Sequence, residues 1–368
     1  MKKLFVIATA VIALAACSRN DVPNDTLISF NVAKYVGQTK ADTHGHTSLL
    51  DEGFNTFTTN AYFYSPGRAV QSFMVDQAIG FVDAEDVWKA VGREYYWPKT
   101  GYINFFSYAG TIAPSAKSEG SFTYTDAEIV PLAIDSPATP ASNILIADAA
   151  YGYSNNPSAE HGLDNVTKGV PTLFRHMLAK VQFDVIVDAS DVEDTNYEYT
   201  ATINSASVSY RNVGSLAVSF TAPDFSSSVS AQTVAWTSAV WTPKAVDNVN
   251  LSKVAGTVEA TAQGGEATAT PVTVIAESVV LPQTLATTGV TFTMNYDFTY
   301  TYNGGEPVTE TVPVEVTALT TLAPSITAWN MNTIYKYHII IKPGEAVLFD
   351  PAVEAWAVAE SEDTELNF

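Results

Sequence analysis

Cysteine is all but missing from this chain: Cys17 is the only one in 368 residues. No intrachain disulfide and no Cys-rich metal site can therefore form. Basic residues are also scarce, 18 Lys and Arg against 39 Asp and Glu, for a formal charge of −21. A chain this acidic repels phosphate backbones, so nucleic acid is not expected as a partner. No GxSxG, HExxH, GxGxxG, P-loop or EF-hand pattern occurs, and the reading is of a non-enzyme without cofactor. The histidines are His44, His46, His161, His176 and His338. His44-Gly45-His46 reads as a flexible polar loop rather than a metal site. Asp and Glu fall mainly in loops and on polar strand faces, as solvated charge does. Helical heptads are absent, and the apolar stretch Leu4–Ala16 is shorter than the ~20 residues a membrane span needs.

That stretch follows Lys2 and Lys3 and ends in small residues, Leu14-Ala15-Ala16, directly before Cys17. A charged start, short apolar centre and small-residue end make an export signal. Leu-Ala-Ala-Cys resembles the bacterial lipobox, which implies cleavage before Cys17, acylation of its thiol and anchoring by lipid. The alternative is an ordinary secretory signal that contains a thiol. Loss of Lys2 and Lys3 with residues 1–16 takes the charge from −21 to −23.

What the chain does contain is Val, Ile, Phe and Tyr interleaved with Thr and Ser, a composition that favours strands. In VTFTMNYDFTYTY, residues 290–302, Val290, Phe292, Met294, Tyr296, Phe298, Tyr300 and Tyr302 alternate with polar residues. Period two puts one row on a core and the other in water. Asn303-Gly304-Gly305 then supplies a tight turn, and Val312, Val314 and Val316 line one face of the return strand, predicting a hairpin. Residues 61–64, 102–108, 181–187, 200–210 and 334–341 read similarly. Residues 83–91 (DAEDVWKAV) are the candidate for a helical turn or two. Many short strands between turn signals imply antiparallel sandwiches. A length above the ~250–300 residues at which single cores divide predicts two domains. Tyr95, Tyr96 and Trp97 precede Tyr102, Phe105, Phe106 and Tyr108; this density suits a sugar-stacking platform, but a strand buried on both faces explains it more simply.

Several segments resemble the fimbrillin-type pilins of Bacteroidales bacteria. They are YYWPKTGYINFFSYAG (95–110), LFRHMLAKVQFDV (173–185), VVLPQTL (279–285), AWNMNTIYKYHIII (328–341) and VLFDPAVEAW (347–356), which occur in family order. The resemblance implies an all-β chain of two tandem transthyretin-like antiparallel β-sandwich domains after the lipoprotein signal. The expected divisions are a signal peptide (1–16), a lipidated linker (17–26), an N-terminal domain (27–174) and a C-terminal domain (175–368). It also implies a shaft or anchor-like subunit of type V fimbriae, lipidated on Cys17 and held on the outer membrane at the cell surface. Its partners would be other pilin subunits and, for adhesion, a surface receptor. In that mechanism a protease removes the first strand, and a neighbour's strand fills the vacated groove. The candidate first strand is 27–36, with Ile28, Phe30 and Val32 on one face. QTKA (38–41) resembles the family's trimming site, but Lys40 stands where the family has arginine, so an arginine-specific protease is not expected to cut there; Lys40 equally reads as an exposed loop residue. Val347, Phe349 and Val353 share one face of the candidate donor strand, whose alternative is to complete its own domain. Asp25-Thr26-Leu27 resembles the O-glycosylation acceptor of these bacteria, at Thr26. The reading from a different class is a non-polymerising surface lipoprotein that binds glycans or host proteins.

Overall fold

The computed structural model describes residues 26–32, 46–50, 52–131, 141–155, 169–226, 228–245, 247–316, 319–344 and 348–356. The described chain is almost all β. The largest sheet runs in the order β10 (Val170–Pro171), β1 (Ser29–Asn31), β4 (Val87–Ala90), β3 (Gln71–Val82), β2 (Thr56–Tyr64), β5 (Tyr102–Gly110), β8 (Ile144–Ala147) and β11 (Phe174–His176). β9 (Ala149–Tyr153) joins it on β5, and β15 (Gln232–Val234) on β9. Against one face lies a sheet ordered β16 (Ser238–Pro243), β14 (Val213–Ser219), β7 (Ser121–Glu128) and β6 (Ala116–Ser118). β14 and β15, C-terminal to residue 175, pair with β7 and β9, which precede it, so sheet hydrogen bonding crosses that point of the chain.

A second sandwich follows. One sheet is β19 (Val272–Val280), β12 (Ala179–Val187), β24 (Thr333–Ile341) and β25 (Leu348–Ala355). The other is β17 (Val249–Ser252), β13 (Tyr197–Tyr210), β21 (Thr291–Tyr302) and β22 (Val308–Val316), with β18 (Glu259–Gln263) also on β13. A two-strand ribbon of β20 (Gln283–Thr284) and β23 (Ala328–Trp329) completes the set. All ladders are antiparallel except β1 with β10 and β12 with β24. Val181, Phe183, Val185 and Val187 on β12 and Tyr335, Tyr337, Ile339 and Ile341 on β24 are all buried, as the period-two pattern requires. Phe183 stacks between Tyr337 at 4.6 Å and Phe292 at 5.3 Å. Buried aromatic and aliphatic side chains of this kind each stabilise the fold by about 1.5–3 kcal/mol.

The hairpin forms as expected, with positive φ at Asn303 and Gly304 in its turn. Its apolar row is buried only from Val290 to Tyr296. Tyr300 and Tyr302 are 39% and 47% exposed, packed on Tyr199 and Tyr197 of β13 beyond the reach of the facing sheet. β5 is buried on both faces: Ile103, Phe105 and Ala109 enter one core, Phe106 and Tyr108 another. The helical expectation for 83–91 holds only for a single 3-10 turn, Asp83–Glu85. Asp86 then takes a left-handed φ, and β4 follows, because Trp88 gains more from packing on Phe57 and Phe81 than from an exposed helical turn.

Prolines follow a positional rule. Every proline inside a described strand, Pro171, Pro243, Pro313 and Pro351, sits in a strand at the end of its sheet. A residue without an N–H cannot donate to a strand on that side, so these edges are blunted.

Candidate functional site

The first strand is short and lies second from the end of its sheet, between β10 and β4. Ser29 and Phe30 of β1 face Lys89 and Trp88 antiparallel, while Phe30 and Asn31 face Val170 and Pro171 parallel. Ile28 N–H donates to Tyr95 O at 2.8 Å, Trp97 N–H to Thr26 O at 3.1 Å, and Thr172 N–H to Asn31 O at 2.9 Å. Ile28 and Phe30 are buried, and Val32 packs partly buried on the same core. The ring of Phe30 meets Phe57 and Phe105 edge-on at 5.5 and 5.6 Å. Gly169, at φ +79°, lets β10 approach: a Cβ there would lie 3.0 Å from the Phe30 carbonyl carbon and 3.1 Å from Asn31 N. The slot is therefore shaped around a strand backbone. Cys17, Lys40 and residues 33–36 lie outside the described residues.

Downstream of Lys40, residues 46–50 and Glu52 form a strap fastened at both ends. At one end His46 Nε2 lies 2.8 Å from Asp148 Oδ2, and Arg175 donates to the same carboxylate through Nε at 3.0 Å and Nη2 at 2.9 Å. The guanidinium also sits over Trp236, 5.2 Å from the ring centre. Burial would raise the Asp148 pKa, but the hydrogen bonds from His46 and Arg175 and the guanidinium charge overcome it and hold the carboxyl below its usual range. At the other end Glu52 Oε1 is 3.1 Å from His176 Nε2, and Asn143 Nδ2 donates to Glu52 Oε2 at 3.3 Å. Burial pushes the His176 pKa down, opposed by Glu52. Glu52 itself is lowered: burial works against this, and the bond and charge of His176 prevail. Between the two ends Leu49 is fully buried and Thr47 bridges to Phe174. The expectation of a flexible loop at His44-Gly45-His46 thus fails at His46, which is buried; its partners are distant in sequence. His44 lies outside the described residues.

The last strand is held differently. β25 pairs along β24 from Thr333↔Ala355 to Ile340↔Leu348 and has no partner on its outer side among the described residues. Val353 is 57% exposed, so at this point the apolar face of the strand does not serve its own core. Phe349 lies opposite Ile339, and Val347 is outside the described residues. Beyond β25 the chain dives inward. Trp356 stacks on the His176 ring at 3.8 Å and 8°, with Lys180 Nζ 4.5 Å from its ring centre, and its backbone N–H donates to Asn332 O at 3.1 Å. His176 therefore touches both the strap and the end of the last strand. Sequence reasoning missed Glu52, Asp148 and Arg175 because no local pattern joins them.

Among the described residues no three His, Cys, Asp or Glu side chains gather as metal ligands, and no helix is long and apolar enough to cross a membrane. No curated protein matches this chain. Solved structures with similarity include candidate cell adhesion proteins from Bacteroides uniformis (15% identity, 91% of this chain and 100% of that one, TM-score 0.43) and Parabacteroides distasonis (11%, 91% and 98%, TM-score 0.42). A third is the tip fimbrial protein Mfa3 from Porphyromonas gingivalis, with C-terminal truncation (10%, 90% and 98%, TM-score 0.29). The family model described as fimbrillin-like matches residues 61–356, most of the chain and both sandwiches. The chain belongs to the fimbrillin-like family.

Proposed function

We propose that this protein is a structural subunit of type V fimbriae, shaft or anchor-like, lipidated on Cys17 and assembled at the outer membrane by strand exchange in support of adhesion. The observation that carries the reading is the contrast between β1 and the strap. β1 fills its slot with Ile28 and Phe30, yet its ladder with each neighbour is only two residue pairs long. The strap of residues 46–50 and Glu52 is fastened independently through Asp148, Arg175 and His176. A break at Lys40 would free β1 and leave everything from His46 onward in place. The emptied slot would expose apolar surface and unpaired backbone, which an incoming strand satisfies together.

The donor segment is 345–356 of a neighbouring subunit, with Val347, Phe349 and Val353 as its apolar row. Simple edge addition is disfavoured at one end of each of the four large sheets, where Pro171, Pro243, Pro313 and Pro351 blunt the end strand. Protein lacking residues 1–40 is mixed with full-length protein and run unboiled on denaturing gels. Ladders that vanish on deletion of 345–368 support exchange. Monomers alone, or ladders that survive the deletion, overturn it. Membrane release on Cys17→Ser checks the anchor, and peptide mass spectrometry checks Thr26 for a glycan.

A further inference from the structure

At the far end of β2 and β5 from the strap, a cavity of about 490 Å³ is bordered by Tyr64, Ser65, Gly101, Tyr102, Ser154 and Val229. This size falls within the range of small-molecule sites, roughly 300–1,000 Å³. Tyr64 and Tyr102 are a cross-strand pair whose rings stack at 4.8 Å and 4°, which fixes them as one rigid wall whose free ring faces are the outer ones only. Phe225 braces Tyr102 edge-on at 5.4 Å. Gly101, at φ +83°, makes the wall possible, since a Cβ there would lie 2.1 Å from Tyr64 O. Ser154 is only 6% exposed and borders the cavity. A hydroxyl there can both donate to and accept from a ligand.

From this we propose that the cavity binds a neutral saccharide unit. A pyranose offers an apolar C–H face, which suits the tyrosine wall, and hydroxyls, which suit Ser154 and Ser65. Among the described residues no charged side chain borders the cavity, and the chain's formal charge of −21 disfavours acidic sugars. The site lies on the first sandwich and needs no strand exchange, so it stands or falls independently of the assembly mechanism.

The full chain in detergent is titrated by saturation-transfer NMR with methyl glycosides of glucose, galactose, mannose and N-acetylglucosamine, and with N-acetylneuraminic acid. At least one neutral glycoside receives saturation, strongest at its ring C–H protons. Val229→Trp, a filling change on an exposed loop residue, abolishes the signal, and Ser154→Ala weakens binding at least fivefold. Near-UV circular dichroism confirms that both variants keep the native fold. Absence of transfer to every neutral glycoside, transfer to the acidic sugar alone, or an undiminished signal in Val229→Trp overturns the proposal.

Discussion

The two ends of the described chain secure their strands by opposite means. β1 contributes one buried ring, Phe30, and ladders of two residue pairs on either side, whereas β25 contributes an eight-residue ladder and an apolar residue, Val353, left in solvent. The first end rests on a buried ring and the second on a long backbone ladder, with Trp356 buried just beyond it. A segment held by burial leaves an apolar void when it goes. A segment held by an edge ladder can leave with less disruption, and it carries an apolar face available to another core. The proposed exchange would match the slot that β1 fills here with a ribbon whose outer edge has no partner among the described residues.

The contrast breaks first at Phe30. Phe30→Ala should cost about 3–5 kcal/mol in denaturant unfolding, as large-to-small changes in aromatic cores do. A loss below about 1 kcal/mol would mean that β1 is peripheral. Next is the strap: Arg175→Met leaves Asp148 buried with a weakened partner set and should cost about 3 kcal/mol. Hydrogen exchange should then rise at residues 46–50 while β24 stays protected, and uniform acceleration would deny the strap its separate role.

Acid should act on the same region with a smaller effect. The His176 pKa is lowered on folding, so below its ordinary value of 6.5 the unfolded chain takes up a proton that the folded one refuses. Stability should therefore fall as pH drops through 6.5, and fall further where Glu52 and Asp148, both lowered on folding, become protonated. His176→Phe keeps a ring against Trp356 and should flatten the slope between pH 6.5 and 5, whatever its effect on total stability. An unchanged slope would place the acid sensitivity elsewhere. The smallest effect is expected at Val353→Ser, within about 0.5 kcal/mol, as for an exposed site. A cost like that of Phe30→Ala would show that β25 is held by burial after all.

Much of this architecture is legible in the sequence where structure is local. The hairpin 290–316 announces itself through period-two alternation and Asn303-Gly304, and β5 through aromatics of both parities. What no local pattern conveys is which strand lies beside which. The parallel ladder from Lys180↔Ile334 to Val187↔Ile341 joins segments that other strands separate in the chain. His46 reads as a polar loop because Asp148, its partner, lies 102 residues away. Trp88 reads as part of a helical turn because Phe57 and Phe81, which bury it, come from other strands. The candidate slot residues Ile28, Phe30 and Val32 are legible as one apolar face, but the glycine that shapes the slot, Gly169, carries no sequence signal before its neighbour β1 is known.

The most direct test supplies the missing strand as a peptide. Protein beginning at residue 41 is mixed separately with synthetic peptides 26–34 and 345–356, and its thermal midpoint is followed. Both peptides should raise the midpoint, and Gly169→Ala, which crowds the slot, should abolish both shifts. Rescue by 26–34 but not by 345–356 would contradict exchange between subunits, and rescue by neither would contradict the slot itself.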